Sequence, residues 1–124
     1  MSFVGRLRHR VRIEEFAPLP DSNGDDLQND QTGEVVREWS TVFECWAGIE
    51  PMSVREFISA QSFQSEVTTR IVMWTPSRID AAMRIVHLVN GAPGTIYNIH
   101  GILPDKDSGR EYVTIPASAG ANNG

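Results

Sequence analysis

The sequence predicts an all-β protein, a small antiparallel β-barrel or sandwich of about six strands with one short helix or helix-like projecting segment. Short runs rich in β-branched and aromatic residues recur along the 124-residue chain, separated by clusters of Gly, Pro, Asn and Asp. Strand patterns do not alternate with full helices, which disfavours a parallel sheet. We therefore expect one domain over residues 1–115, followed by a flexible tail over residues 116–124.

The first strand is predicted from alternation, because His9, Val11 and Ile13 are interleaved with arginines. This strand stops before Pro18. Residues 17–33 (APLPDSNGDDLQNDQTG) follow as a long, exposed acidic loop. A loop of this length is either mobile or held by a partner, and a tolerated surface insertion is an equally good interpretation.

Residues 35–49 predict one long strand, or two strands broken near Ser40, because β-branched and aromatic side chains dominate them. Pro51 ends this strand. Further strands are predicted at 67–75, 84–89, 97–103 and 111–115, joined by a short turn at 79–83, a glycine-rich connection at 90–94 and a hairpin loop at 104–109.

Residues 52–66 break the strand pattern. Ser53 and Glu56 form a capping box, and apolar residues follow at helical spacing. No ionisable side chain occurs from Phe57 to Ser65. The segment is predicted either as an amphipathic helix packed on the barrel or as a projection from it, and a helix that begins at the barrel satisfies both.

Charge is distributed unevenly along this chain of net charge −5. Four arginines lie in the first twelve residues, whereas residues 14–34 hold seven acids and no Lys or Arg. On a strand, alternate arginines share one face and form a cationic stripe about 20 Å long. In order of preference, we expect this stripe to dock an acidic protein, to form a solvated strand edge, or to contact DNA.

Groups suited to catalysis or metal binding do not converge in the sequence. The three histidines lie on separate predicted strands, at His9, His87 and His100. Residues 105–111 resemble part of a calcium loop, but Pro116 occupies the position of the closing glutamate, so a polar hairpin tip is preferred. Cys45 is predicted as a small buried hydrophobe. We expect no enzymatic activity, no cofactor and no metal, and no apolar run reaches the roughly 20 residues of a membrane span.

Several segments, in order and spacing, resemble the phage head-tail joining family, also called head-closure, stopper or neck proteins. The resemblance covers most of the chain. The matching segments are GRLRHR at 5–10, WAGIEP at 46–51, REF at 55–57, AQ at 60–61, MRIV at 83–86 and YNI at 97–99. The enlarged acidic loop at residues 18–32 and the lysine-poor C-terminal tail depart from the family pattern.

The resemblance implies a structural virion protein that is assembled in the host cytoplasm. Such proteins form a homo-oligomeric ring in the neck, with a portal or adaptor protein on the head side and a tail terminator or tail tube protein on the tail side. They retain the packaged double-stranded DNA and create the surface on which the tail docks. No membrane association is implied.

The resemblance also implies roles for particular residues. In the family, the segment after the second long strand projects into the central channel, and it corresponds here to residues 52–66. The channel or gate residues are then Ser53, Arg55, Glu56, Gln61, Phe63 and Gln64. Our hypothesis is that Arg55 and Glu56 pair across subunits at the base of the projection, while Gln61, Phe63 and Gln64 lie near its tip. Contacts to other subunits or to neck partners are expected at Arg6, Arg8, Arg10, Arg12, Asp25 and Asp26.

Two other functions remain open. A tail-terminator or tail-completion ring protein is the nearer alternative. A small β-barrel module that binds a peptide or single-stranded nucleic acid would need exposed aromatic residues beside a basic groove. Because Trp39, Trp46 and Trp74 all fall inside strand patterns, we expect them to be buried, which disfavours the module.

Overall fold

Seven strands and one short N-terminal turn make up the structure, a computed structural model that describes residues 3–52, 67–105 and 108–120. A 3-10 helix at Phe3–Arg6, called the N-terminal turn, precedes the strands. The strands are β1 at His9–Pro18, β2 at Arg37–Pro51, β3 at Thr69–Trp74, β4 at Arg84–Val89, β5 at Ala92–Ile99, β6 at Leu103–Pro104 and β7 at Tyr112–Ala119.

All neighbouring strands are antiparallel, in the order β3-β2-β1-β4-β5-β7-β6. β3 also pairs with β7, so that every strand except β6 belongs to a closed, barrel-like ring of six strands. No α-helix occurs among the described residues. The predicted all-β fold is therefore confirmed, while the helix predicted near residues 53–63 falls outside the described part of the chain.

Alternation along the strands fills the inside of this ring. Ile13 pairs with Ile85 across β1 and β4, and Ile71 pairs with Ile115 across β3 and β7. The largest fully buried side chains of the core cluster are Ile13, Ile71, Met73, Ile85, Ile115 and Val11. Val72 is also fully buried, but it lies between Ile71 and Met73 on β3 and therefore points to the opposite face. Each such side chain stabilises the fold by roughly 1.5–3 kcal/mol relative to an exposed position. The apolar set of the sequence thus determines which face of each strand points inward.

Antiparallel pairing gives the ring two chemically different ends. The first, which we call the arginine end, carries residues 3–8 before β1, the connection between β2 and β3, and the turn between β4 and β5. The second, which we call the acidic end, carries residues 19–36, 75–83, 100–105 and 108–111. The basic N-terminal segment and the acidic loop therefore lie at opposite ends of β1.

The acidic loop is exposed as predicted, but it is not structureless. Leu27 N–H donates to Leu19 O over 2.7 Å, and Val36 N–H donates to Leu27 O over 2.7 Å. Isolated bridges pair Pro20 with Asp26 and Gln28 with Val35. These hydrogen bonds fold the loop back on itself into two short turns.

Two predicted boundaries are wrong. The strand expected at 97–103 is β5, which begins at Ala92 and ends at Ile99, because Asn90 and Gly91 alone make the β4–β5 turn with φ of 53° and 80°. The tail expected from residue 116 is instead strand as far as Ala119, since β7 pairs there with β3 and β5. Residues 121–124 lie outside the described chain.

Candidate functional site

Residues 53–66 connect the ends of two adjacent strands. β2 ends at Pro51, which pairs with Thr69 at the start of β3, and Met52 N–H donates to Thr68 O over 3.1 Å. The chain therefore leaves and re-enters the strand ring at neighbouring positions of the arginine end. The predicted channel residues lie outside the described residues: Ser53, Arg55, Glu56, Gln61, Phe63 and Gln64.

Glu50 binds two arginines next to this connection. Arg6 Nε and Nη2 donate to the two carboxylate oxygens over 2.9 and 2.8 Å. Arg70 Nε and Nη2 donate to Oε1 over 3.3 and 3.2 Å. A forked arginine–carboxylate pair fixes geometry better than a single contact. This arrangement, which we call the Glu50 clamp, fastens the N-terminal turn and β3 to the end of β2.

The clamp is electrostatically favourable and sterically specific. Hydrogen bonds from Arg6 hold the pKa of Glu50 below its usual range, against the opposing effect of burial. At Gly48, a Cβ atom would stand 2.7 Å from the carbonyl oxygen of Arg6, which is closer than real Cβ contacts. This glycine therefore allows the N-terminal turn to lie directly on β2.

The structure separates the four arginines predicted to form one stripe. Arg6 lies in the N-terminal turn and Arg8 precedes β1, so only Arg10 and Arg12 share the strand. Glu44 lies 3.9 Å from Arg10 Nε and 3.3 Å from Arg12 Nε. The four-residue stripe is therefore wrong, because β1 begins only at His9, and two of its charges are partly neutralised within the chain.

A second ion cluster covers the outer face of β1 nearer the acidic end. Arg84 Nε donates to Glu14 Oε1 over 2.8 Å, and Arg12 Nη1 lies 3.7 Å from Glu14 Oε2. The Arg84 guanidinium also stacks over Trp39, 4.2 Å from the ring centre. Glu14 is buried under these groups, which tie β1, β2 and β4 together and point to a structural role for the cluster.

Two tryptophans predicted to be buried are exposed. Trp46 is 54% exposed and Trp74 is 48% exposed. Both project from the outer face of the ring, and the guanidinium of Arg10 lies 5.6 Å from the Trp46 ring centre. Beside them is an open groove of about 700 Å³, also lined by Phe43 and Pro76. The prediction of burial was wrong because Trp46 and Trp74 directly adjoin the buried Ala47 and Met73, and successive side chains of a strand point to opposite faces.

A second groove, of about 470 Å³, adjoins Trp46 at the arginine end. Its principal lining residues are Arg8, His9, Arg10, Trp46, His87 and Val89, and none of the described residues that line it is acidic. We call it the cationic groove. The two imidazoles, predicted to be separate, meet edge to face with ring centres 4.9 Å apart. Burial lowers the pKa of His87, and repulsion from His9 lowers it further by a smaller amount.

Asp25 and Asp26, the predicted acidic contacts, are exposed at the opposite end of the molecule. Asp21 Oδ1 accepts hydrogen bonds from the backbone N–H groups of Asn23 and Asp25 over 2.8 and 3.0 Å. Asp21 N–H in turn donates to Asp25 O over 2.6 Å. A closed turn therefore presents both carboxylates to solvent.

The hairpin tip that resembles a calcium loop has a different chemistry. The Asp105 carboxylate accepts backbone N–H hydrogen bonds from Gly109 over 3.0 Å and from Glu111 over 2.8 Å. Burial raises the pKa of Asp105, but hydrogen bonds from Ser108 and these amides outweigh it and hold the pKa well below its usual range. Oxygens occupied by N–H donors suit a loop anchor better than a cation ligand. In the described parts of the chain, no group of three or more His, Cys, Asp or Glu could hold a metal.

These features define the class of protein: a small all-β protein built as a strand ring, with charged and aromatic groups exposed on its surface and no convergent catalytic or metal-binding group among the described residues. The described ranges contain no helix long and apolar enough to cross a membrane.

A family model described as phage head completion protein matches residues 4–120, so the chain belongs to this family. A comparison with functionally curated proteins found no match. Among solved structures, the chain is similar to the solution structure of protein SF1141 from Shigella flexneri 2a, with a TM-score of 0.68 and 26% identity. That match covers 98% of this chain and 99% of the other. The predicted phage head-tail joining relationship is confirmed at the level of the family.

Proposed function

We propose that this head completion protein forms a homo-oligomeric ring in the phage neck, where it closes the head after DNA packaging and provides the surface on which the tail docks. Family membership supports a head-completion role, a virion location and a structural, non-enzymatic protein. The structural observation that carries the finer proposal is the connection at the arginine end. It leaves and re-enters between two paired strands beside the Glu50 clamp.

The clamp gives this connection a fixed base. Glu50 precedes Pro51 on β2, and Arg70 follows Thr69 on β3, so both strand ends are tied to one carboxylate. The N-terminal turn is tied to the same carboxylate through Arg6. A segment attached to such a base can transmit a contact made along its length to the strand ring and to the N-terminal turn.

The composition of the connection suits contact with DNA that must later move. Residues 57–65 carry no ionisable side chain. Each fixed cation in contact with a phosphate would add salt-dependent affinity and hold the genome in place. We therefore retain Ser53, Arg55, Glu56, Gln61, Phe63 and Gln64 as proposed channel residues, with Arg55 and Glu56 at the base and with Gln61, Phe63 and Gln64 toward the DNA.

The two ends of the strand ring supply different surfaces for two neighbours. The arginine end presents Arg8 and Arg10, whereas the acidic end presents Asp25 and Asp26. Unlike ends suit head-to-tail contacts between neighbouring subunits of a ring, which leave its other faces for a portal or adaptor on the head side and a tail terminator or tail tube protein on the tail side. Both of these partners remain part of the proposal.

The test replaces residues 59–65 with a short glycine linker in the phage. Particles should contain neck rings in class-averaged electron micrographs but should lose DNA, measured as genome copies per particle that survive nuclease treatment. The matched control, Ser59→Ala with Ser62→Ala and Ser65→Ala, keeps the length and the lack of charge and should retain the genome. Full retention by the shortened variant would show that the segment does not retain DNA.

The exposed tryptophans favour a second candidate, a module that binds a peptide or single-stranded nucleic acid. Trp46 and Trp74 flank an open groove, and Arg10 stacks on Trp46, which is the combination that such binding needs. If this is the function, the purified protein should bind single-stranded DNA as a monomer, and Trp46→Ala should weaken that binding. A ring seen in the neck would favour the first proposal.

A further inference from the structure

The cationic groove is a preformed site for an anionic group with an apolar neighbour. Arg8 and Arg10 stand on either side of His9, and Trp46 and Val89 are 54% and 52% exposed beside them. Exposed apolar and aromatic side chains next to arginines are typical of protein interaction sites. The nearest carboxylate among the residues with described contacts, Glu44, is 3.9 Å from Arg10 Nε, so this charge is weakly paired.

The acidic loop has the complementary composition. Residues 17–33 contain four aspartates and no Lys or Arg. Within it, Leu27 is 38% exposed and directly follows Asp25 and Asp26. The loop therefore offers two carboxylates and one apolar side chain, where the groove offers two guanidinium groups and two apolar side chains.

Hydrogen bonds within the chain also order the acidic loop in the absence of a partner. Leu27 is fixed on both sides, since its N–H donates to Leu19 O and its carbonyl accepts from Val36 N–H, each over 2.7 Å. The turn at Asp21–Asp25 is closed by four hydrogen bonds. A segment that is already ordered loses little conformational entropy when it binds.

One molecule cannot bring these two features together. The groove lies at the start of β1 and the loop lies at its end, separated by the strand His9–Pro18. At about 3.3 Å per residue, this strand holds them roughly 30 Å apart. Two different patches at opposite ends of a subunit make head-to-tail contacts, which produce a closed ring when the rotation between neighbours closes.

We propose that the acidic loop of one copy docks in the cationic groove of the next copy, with Leu27 against Trp46 and with Asp25 and Asp26 facing Arg8 and Arg10. This contact rests on the ring of the proposed function and identifies the surfaces that join its subunits. The occupant of the groove is thus a second copy of this chain. Duplex DNA, the other polyanion of the neck, is tested as an alternative.

Charge reversal on each side separately provides the first part of the test. The groove variant carries Arg8→Glu and Arg10→Glu, and the loop variant carries Asp25→Arg and Asp26→Arg. Each should weaken self-association of the full chain at least about tenfold in sedimentation velocity, because like charges then face each other. The variant with all four substitutions restores opposite charges and should assemble again.

Mixing the two variants provides a sharper readout. The native loop of the groove variant fits the native groove of the loop variant, and the arginine loop of the loop variant faces the glutamates of the groove variant, so opposite charges meet at both junctions. An equimolar mixture should therefore form oligomers in which the two variants alternate, in native mass spectrometry, whereas neither variant alone should assemble. Arg110→Glu and Glu111→Arg, which reverse exposed charges at the acidic end, serve as controls and should assemble as the wild type does.

The outcomes separate this contact from the proposed function. Wild-type rings that are unaffected by either reversal overturn the contact and leave the ring standing. A wild type that is monomeric at every concentration, together with a neck that lacks its ring, overturns both. Duplex DNA binding that is lost in the groove variant, with oligomer size unchanged, assigns the groove to nucleic acid and overturns the contact. Near-ultraviolet circular dichroism verifies the fold of each variant.

Discussion

Arg6 and Glu50, 44 positions apart in the chain, form a two-point ion pair that fixes the N-terminal turn on the last residues of β2. The pair lies where the connection between β2 and β3 begins. Arg70, at the start of β3, donates to the same carboxylate. One side chain thus links the three chain segments that surround this end of the strand ring.

Glu50→Gln should lower the free energy of unfolding by about 1 kcal/mol, because it removes a partly exposed forked ion pair and leaves Arg6 and Arg70 without their shared carboxylate. Urea denaturation followed by tryptophan fluorescence measures the change. Glu44→Gln is the matched control, since its contacts to Arg10 and Arg12 are longer and more exposed, and it should change stability less. An equal loss in both variants would contradict a special role for the clamp.

The contribution of Glu50 should depend on pH in a defined direction. Its pKa is lowered in the folded state, chiefly by Arg6. The stabilisation is therefore fully present above the unfolded pKa of about 4.3 and is lost as pH falls through the lower folded value. The stability difference between wild type and Glu50→Gln should stay constant from pH 7 to pH 5 and shrink below about pH 4. A difference that grows on acidification would contradict this assignment.

Gly48→Ala should destabilise the protein by about 1–3 kcal/mol, because the added Cβ would meet the carbonyl oxygen of Arg6 and displace the N-terminal turn. Gly101→Ala is the control, since no heavy atom lies within 4 Å of its Cβ position. Thermal unfolding compares the two variants. A stable Gly48→Ala protein in which Glu50→Gln has no further effect would show that the turn had moved and broken the clamp.

Local patterns predicted the parts of the fold that local interactions determine. The strand predicted at residues 84–89 coincides with β4, since its apolar run ends at an Asn-Gly pair suited to a tight turn. The end of β7 escaped prediction because Pro116 and Ala117 have low strand propensity. These two residues are strand because β3 and, at Ala117, β5 pair with them from elsewhere in the chain.

The candidate site likewise contains features that the local sequence pattern predicts and features that depend on contacts between distant segments. The outward position of Trp46 was readable from alternation, since Ala47 and Ile49 face the core and Trp46 shares its parity with Glu50. The ion pair between Glu50 and Arg6 could not be predicted from the sequence, because it depends on the position of the N-terminal turn over β2. The approach of His9 to His87 likewise follows from the pairing of β1 with β4.

Cys45 should react slowly with alkylating reagents in the folded protein. Burial raises the pKa of its thiol to about 11, with a smaller opposing effect from Arg10. At pH 8 the reactive thiolate is then roughly 200-fold scarcer than for a free cysteine of pKa near 8.5. Iodoacetamide labelling followed by mass spectrometry should be slow at pH 8, faster toward pH 10, and rapid in urea, whereas Cys45→Ser should stay unlabelled throughout. Equal rates in the folded and the unfolded protein at pH 8 would show that the thiol is accessible, and would contradict its packing beside Met73, whose sulfur lies 4.0 Å away.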